Sequence, residues 1–179
     1  MIKYLSLLSS ILLSIYSLGF SGQQNSFRES KIGGFDFGSK LITNQKLEGL
    51  YGKGCVDEDY AKHPDHYRRM YFFPEKNIYA AFDIGTDKLV VGLRLTTEPI
   101  VSKKCKAVKN LKYFETGKMI TLGAQKDKVI KAYGKPSEEK TKLDNVVLYR
   151  YYVGREEGPY MEIEFLSDRV ISIWITVGD

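Results

Sequence analysis

Two segments of the chain share one plan, and that plan limits the possible folds more than any other feature. Tyr79 to Ile84 (YAAFDI), a turn GTDKL and Val90 to Leu95 (VVGLRL) match Tyr160 to Phe165 (YMEIEF), a turn LSDR and Val170 to Ile175 (VISIWI). Tyr79 aligns with Tyr160, Phe82 with Ile163, Asp83 with Glu164 and Leu93 with Ile173, and the turns differ by one residue. Alternating β-branched and aromatic residues around a short polar turn predict an antiparallel hairpin with one buried face.

The likeness extends upstream. Phe35-Asp-Phe-Gly38 and Ile120-Thr-Leu-Gly123 each precede a short helical stretch ending in Tyr-Gly-Lys, at Tyr51-Gly52-Lys53 and Tyr133-Gly134-Lys135. In the second stretch Leu122, Val129, Ile130 and Tyr133 are placed inward, with Lys126, Asp127, Lys128 and Lys131 toward water. Gly134 suits the left-handed residue that closes a helix, and Pro136 prevents its continuation. A helix of about ten residues is marginal alone, so it must pack on a sheet. YRRMYFF (Tyr67 to Phe73) and VVLYRYYV (Val146 to Val153) supply one further strand each. The expected fold is α+β: two tandem repeats, 33–95 and 117–177, each a short helix on an antiparallel sheet of three or four strands, joined by a linker over 96–116.

The chain begins MIKYLSLLSSILLSIYSLGFSG, a lysine, an apolar run from Leu5 to Leu18 broken by serines and Tyr16, then small residues. That order reads as a secretory signal over residues 1–22, and the run is short for a span of about 20 apolar residues. The expectation is an exported, periplasmic or extracellular protein with no stable membrane span once the signal is cleaved. Cys55 and Cys105 are its two cysteines, and in an exported chain such a pair reads as a disulfide. The net charge of +5 is too modest to argue for nucleic acid.

Leu122-Gly123, Val129, Tyr133-Gly134-Lys135-Pro136, a tyrosine-rich strand, Ile163-Glu-Phe165 and Asp168-Arg-Val170 together resemble the SmpA/OmlA domain of small outer-membrane-assembly lipoproteins. The tandem arrangement resembles the secreted β-lactamase inhibitor proteins that use two such units. The resemblance covers 117–177 and, more faintly, 33–95. It implies helices against one face of an antiparallel sheet and protein binding by the other. No lipidation cysteine stands near the signal junction, and the inhibitors carry more than a single cysteine pair.

Strand alternation sorts the hairpin side chains into two faces. Inward are Ala80, Phe82, Ile84, Val91, Leu93 and Leu95 of the first hairpin, with Met161, Ile163, Phe165, Ile171, Ile173 and Ile175 of the second. Outward are Tyr79, Ala81, Asp83, Val90, Gly92 and Arg94, with Tyr160, Glu162, Glu164, Val170, Ser172, Trp174 and Thr176. Arg94 occupies the place of Trp174. Tyr, Trp and Arg dominate binding energy at protein interfaces, so Tyr79, Arg94, Tyr160 and Trp174, flanked by Asp83, Glu162 and Glu164, are the expected protein-binding residues.

Catalytic patterns are wanting: no serine or cysteine sits in a nucleophile motif, and no glycine-rich turn carries a phosphate-loop lysine. The expectation is a non-enzymatic protein without a cofactor. CVDEDYAKHPDH (Cys55 to His66) gathers Asp57, Glu58, Asp59, His63, Asp65 and His66, donors that suit zinc. The proline inside His-Pro-Asp-His makes it a turn rather than a helical ligand pair, so no metal site is assigned. KKCKAVKNLK (Lys103 to Lys112) offers a short amphipathic stretch with Cys105, Val108 and Leu111 inward and five lysines outward. The function expected from the whole is binding of a protein partner, as inhibitor or scaffold. Envelope assembly stands second, and hydrolysis or metal binding third.

Overall fold

The computed structural model describes residues 29–37, 41–57, 66–152 and 159–177. After a two-residue pair, β1 (Lys31–Ile32) and β2 (Phe35–Asp36), come α1 (Asn44–Tyr51), β3 (Cys55–Asp57), β4 (Tyr67–Phe73), β5 (Ile78–Ile84) and β6 (Val90–Thr96). The second half contains α2 (Lys126–Tyr133), β7 (Glu138–Thr141), β8 (Val147–Tyr152), β9 (Tyr160–Leu166) and β10 (Arg169–Thr176). The helices are eight residues each.

The strands corrected the expected architecture. β3 to β10 form a single eight-stranded antiparallel sheet in the order β3-β4-β5-β6-β10-β9-β8-β7, so the fold is mostly β and not two helix-on-sheet repeats. The reason lies in β6 and β10. Leu93 pairs with Ile175 and Leu95 with Ile173, so the last strand of each hairpin carries apolar side chains on one face and an unpaired backbone along its edge. Pairing the two edges satisfies both backbones and merges the apolar faces into one core.

That core is continuous. Phe82, Leu93, Leu95, Met161, Ile163, Phe165, Ile173 and Ile175 are buried in one cluster with Leu47 and Tyr51 of α1 and Val129 and Tyr133 of α2. Tyr51 packs edge-on against Phe73 and Tyr71 and stacks near Phe82, while Tyr133 meets Tyr151. Both helices thus lie on the same side of the sheet. Each ends where its sequence says it must: Gly52 and Gly134 have φ of 85° and 80°, and their N–H groups return to Glu48 and Ile130, a conformation that costs glycine little. Thr43 caps α1 by accepting from the Lys46 N–H at 3.2 Å. Arg69, 7% exposed, fastens α1 to β4 through Asn44, Glu48 and the carbonyl of Lys53.

Alternation failed at one point in each hairpin. Register shifts fall between Asp83 and Ile84 opposite β6, and between Val170 and Ser172 in β10. Each adds a residue at the turn end of the strand and reverses the face of what precedes it. Val90 and Val170 are therefore core residues, paired with Ile84 and Phe165, whereas Val91 and Ile171 are half-buried. Ile130 is 38% exposed rather than inward, leaving Val129 and Tyr133 as the buried residues of α2.

Residues 97–125 are packed along the sheet. Cys105 forms a disulfide with Cys55, and Cys105, Ala107 and Leu111 are buried while Val108 is exposed, against the expected inward Val108. Thr116 and Tyr133 hydrogen-bond each other, and the Tyr133 hydroxyl donates to Glu29 Oε2 at 2.8 Å. Among the described residues no helix is long and apolar enough to cross a membrane. The expected signal over residues 1–22 lies outside the described residues.

Candidate functional site

The sheet face away from the helices carries all seven residues expected there. Register fixes their arrangement: Tyr79 opposes Thr96, Ala81 opposes Arg94, and Asp83 opposes Gly92. On the far side of β6, Arg94 opposes Trp174 and Thr96 opposes Ser172. Trp174 in turn opposes Glu162, Ser172 opposes Glu164, and Thr176 opposes Tyr160. Arg94 and Trp174 occupy corresponding positions in the two hairpins, and antiparallel pairing brings them side by side at the middle of the sheet.

Their surroundings form a connected polar layer. Trp174 Nε1 donates to Asp83 Oδ2 at 2.9 Å, and Arg68 Nε donates to Asp83 Oδ1 at 2.7 Å. Gly92 makes this possible, because a Cβ there would lie 2.8 Å from Asp83 Oδ2 and 3.1 Å from the Ile175 carbonyl. Arg94 donates to Ser172 Oγ at 2.9 Å and to Glu164 Oε2 at 2.7 Å, and Lys142 reaches Glu164 Oε1 at 2.6 Å. Arg150 pairs with Glu162 and, at 3.4 Å, with Glu138, whose other oxygen accepts from the Tyr152 hydroxyl.

The layer has an inside and an outside. Asp83, Glu162 and Glu164 are nearly buried, whereas Trp174, Arg94, Tyr160, Arg150 and Arg68 are half-buried. Guanidinium groups lie over the rings: Arg68 is 5.8 Å from the Trp174 centroid, and Arg150 is 5.3 Å from Tyr160 and 5.9 Å from Tyr152. Tyr160 meets Trp174 edge-on at 5.3 Å. Carboxylates below hold arginines that cover aromatic rings above, so the outer layer is aromatic and cationic while its charges are internally paired. Burial pushes the Glu164 carboxyl up, but Lys142 and Arg94 outweigh it, and its pKa falls below the ordinary 4.5. Tyr79 differs from the rest: it is buried and packs on Phe72 with centroids 4.9 Å apart. It supports the face rather than presenting a contact.

Sequence reasoning missed Arg68, Lys142, Arg150 and Tyr152. The signal was there, because Arg68 and Arg150 stand near the start of YRRMYFF and in the middle of VLYRYY. Without the registers Arg68 to Asp83 and Arg150 to Glu162 nothing says which face they share.

Of the acidic and histidine-rich segment, Asp57 and His66 are among the described residues. Asp57 lies in β3 opposite Arg68, and His66 precedes β4. Glu58, Asp59, His63 and Asp65 lie outside the described residues. Among the described residues no three His, Cys, Asp or Glu side chains are grouped to hold a metal ion.

No family model and no curated protein matches the chain. Among solved structures it is similar to a DUF4309 family protein, YjgB, from Bacillus subtilis, with TM-score 0.49 and 10% identity over 83% of this chain and 88% of that one. It is also similar to an extracellular protein containing a SCP domain from Bacillus anthracis, with TM-score 0.45 and 12% identity over 76% of this chain and 43% of that one. A cysteine-rich secretory protein from Staphylococcus aureus gives TM-score 0.41 and 13% identity over 74% and 41%. The chain spans less than half the length of the latter two.

Proposed function

We propose that the chain is an exported, non-enzymatic protein-binding module whose open sheet face takes the partner, as an inhibitor or scaffold of another envelope or secreted protein. The observation that carries this reading is the Arg94–Trp174 pair at the centre of the sheet, flanked by Tyr160, Arg68 and Arg150. Trp, Tyr and Arg concentrate binding energy because they combine area with few rotors or with directed hydrogen bonds. Here each is already held by a neighbour, so a partner need not immobilise them at a cost of about 0.5–1.5 kcal/mol per side chain. The Cys55–Cys105 disulfide supports an oxidising compartment, since such bonds persist outside the reducing cytosol.

The test is affinity capture from the envelope and secreted fractions with the wild-type protein, Trp174→Ala and Tyr160→Ala. The reading expects one protein retained by wild type and lost from both variants, each still folded by circular dichroism. Equal retention by all three forms would assign binding to another surface.

A further inference from the structure

A second surface, beside β4 at the margin of the sheet where Lys106 bridges Phe72, is formed by the loop Val101 to Tyr113, VSKKCKAVKNLKY. It holds Lys103, Lys104, Lys106, Lys109 and Lys112 and no acidic residue. Setting these five aside leaves 22 Lys and Arg against 22 Asp and Glu, so the whole net charge of +5 resides here. All five lysines are exposed. Among the described residues, none of them has a carboxylate within 4.0 Å. Glu75 stands at one margin, lining a shallow cleft with Lys106 and Lys109, and Glu115 at the other, beside Lys112 and Lys76.

This loop is fixed to the fold. Cys105 is bonded to Cys55, the Phe72 N–H donates to the Cys105 carbonyl at 3.0 Å, and the Ala107 N–H donates to the Phe72 carbonyl at 3.0 Å. The Val108 N–H donates to the Tyr51 carbonyl at 3.0 Å. Buried Cys105, Ala107 and Leu111 alternate with the exposed lysines and with Val108, whose side chain is 71% exposed between Lys106 and Lys109. The Val108 methyls border Gly52 at the end of α1 and otherwise face water, an apolar exposure that a solvated connection does not need.

We propose that this loop docks the protein on the anionic surface of a phospholipid bilayer. Phosphodiester headgroups meet the exposed ammonium groups, of which Lys103 and Lys112 also lie over the Phe72 and Tyr113 rings, and Val108 enters the boundary between headgroups and acyl chains. Each lysine near such a surface contributes about 1 kcal/mol, so five give reversible, salt-sensitive association rather than anchoring.

The protein is prepared by expressing the whole sequence, so that its N-terminal segment is processed or kept as in the cell. It is then sedimented with vesicles of equimolar phosphatidylglycerol and phosphatidylcholine, or of phosphatidylcholine alone. Binding is expected to the anionic vesicles in excess of the neutral ones, and to fall as salt rises from about 0.05 M to about 0.5 M. Replacing Lys104, Lys106 and Lys109 together by Gln is expected to lower partitioning on the order of 100-fold, while replacing them by Arg keeps it. Both variants must retain the wild-type urea midpoint. Equal sedimentation with the two vesicle types, undiminished binding by the Gln variant, or capture by inorganic polyphosphate or an oligonucleotide with vesicles unbound would each overturn the proposal.

Discussion

The indole N–H of Trp174 donates to Asp83 Oδ2 at 2.9 Å across a separation of 91 residues, joining the second hairpin to the first on the open face. Asp83 also accepts from Arg68 Nε at 2.7 Å and is 5% exposed. Replacing Trp174 by Phe removes one donor and leaves the carboxylate paired, so stability should fall by about 1–2 kcal/mol. Replacing Asp83 by Ala removes the acceptor of both Arg68 Nε and the indole N–H, and should cost about 3 kcal/mol. Urea unfolding followed by circular dichroism ranks the two. A midpoint for Asp83→Ala no lower than for Trp174→Phe would show that Asp83 does not hold this pair.

Glu164 gives the face a pH signature. Burial raises its pKa, and Lys142 and Arg94 lower it by more, so the folded value lies below the ordinary 4.5. A carboxyl depressed on folding contributes stability that is present above its unfolded value and disappears as pH falls through the folded one. The loss should therefore begin near pH 4.5 and grow below it. Glu164→Gln should be less stable than wild type at neutral pH and should flatten that part of the acid limb, measured by thermal unfolding across the acid range.

The Cys55–Cys105 bond closes a separation of 50 residues. In the chain-entropy account a loop of that length stabilises the fold by about 4 kcal/mol. Replacing both cysteines by Ser should lower the urea-derived unfolding free energy by that order. It should also free the lysine loop, seen as faster proteolysis after Lys103 to Lys109 before the sheet is cut.

The two hairpins, the glycine-closed helices and the cysteine pair were legible in the sequence because each rests on local signals: alternation, a positive φ, an even cysteine count. The union of β6 with β10 was not, because pairing between Leu95 and Ile173 is a choice between distant edges. β3 and β7 were missed as strands for being three and four residues long, and β7 for reading Glu-Glu-Lys-Thr. Such short, charged ends protect a sheet from further pairing. All seven expected face residues lie on the open face, since the bulges affect only the turn ends, where Val90 and Val170 changed sides. Arg68 and Arg150 stayed hidden because β4 and β8 pair outside the matched hairpins, and Lys142 because it lies just past the end of β7.

The central claim is that the face around Trp174 meets another protein, and crosslinking in the cell tests it directly. A photoreactive phenylalanine analogue is placed at Tyr160 on that face, and separately at Ile130 on the exposed side of α2. The account predicts one discrete adduct from position 160 that disappears when Trp174 and Arg94 are replaced by Ala, and none from position 130. No adduct from position 160, or one that survives those replacements, would contradict it.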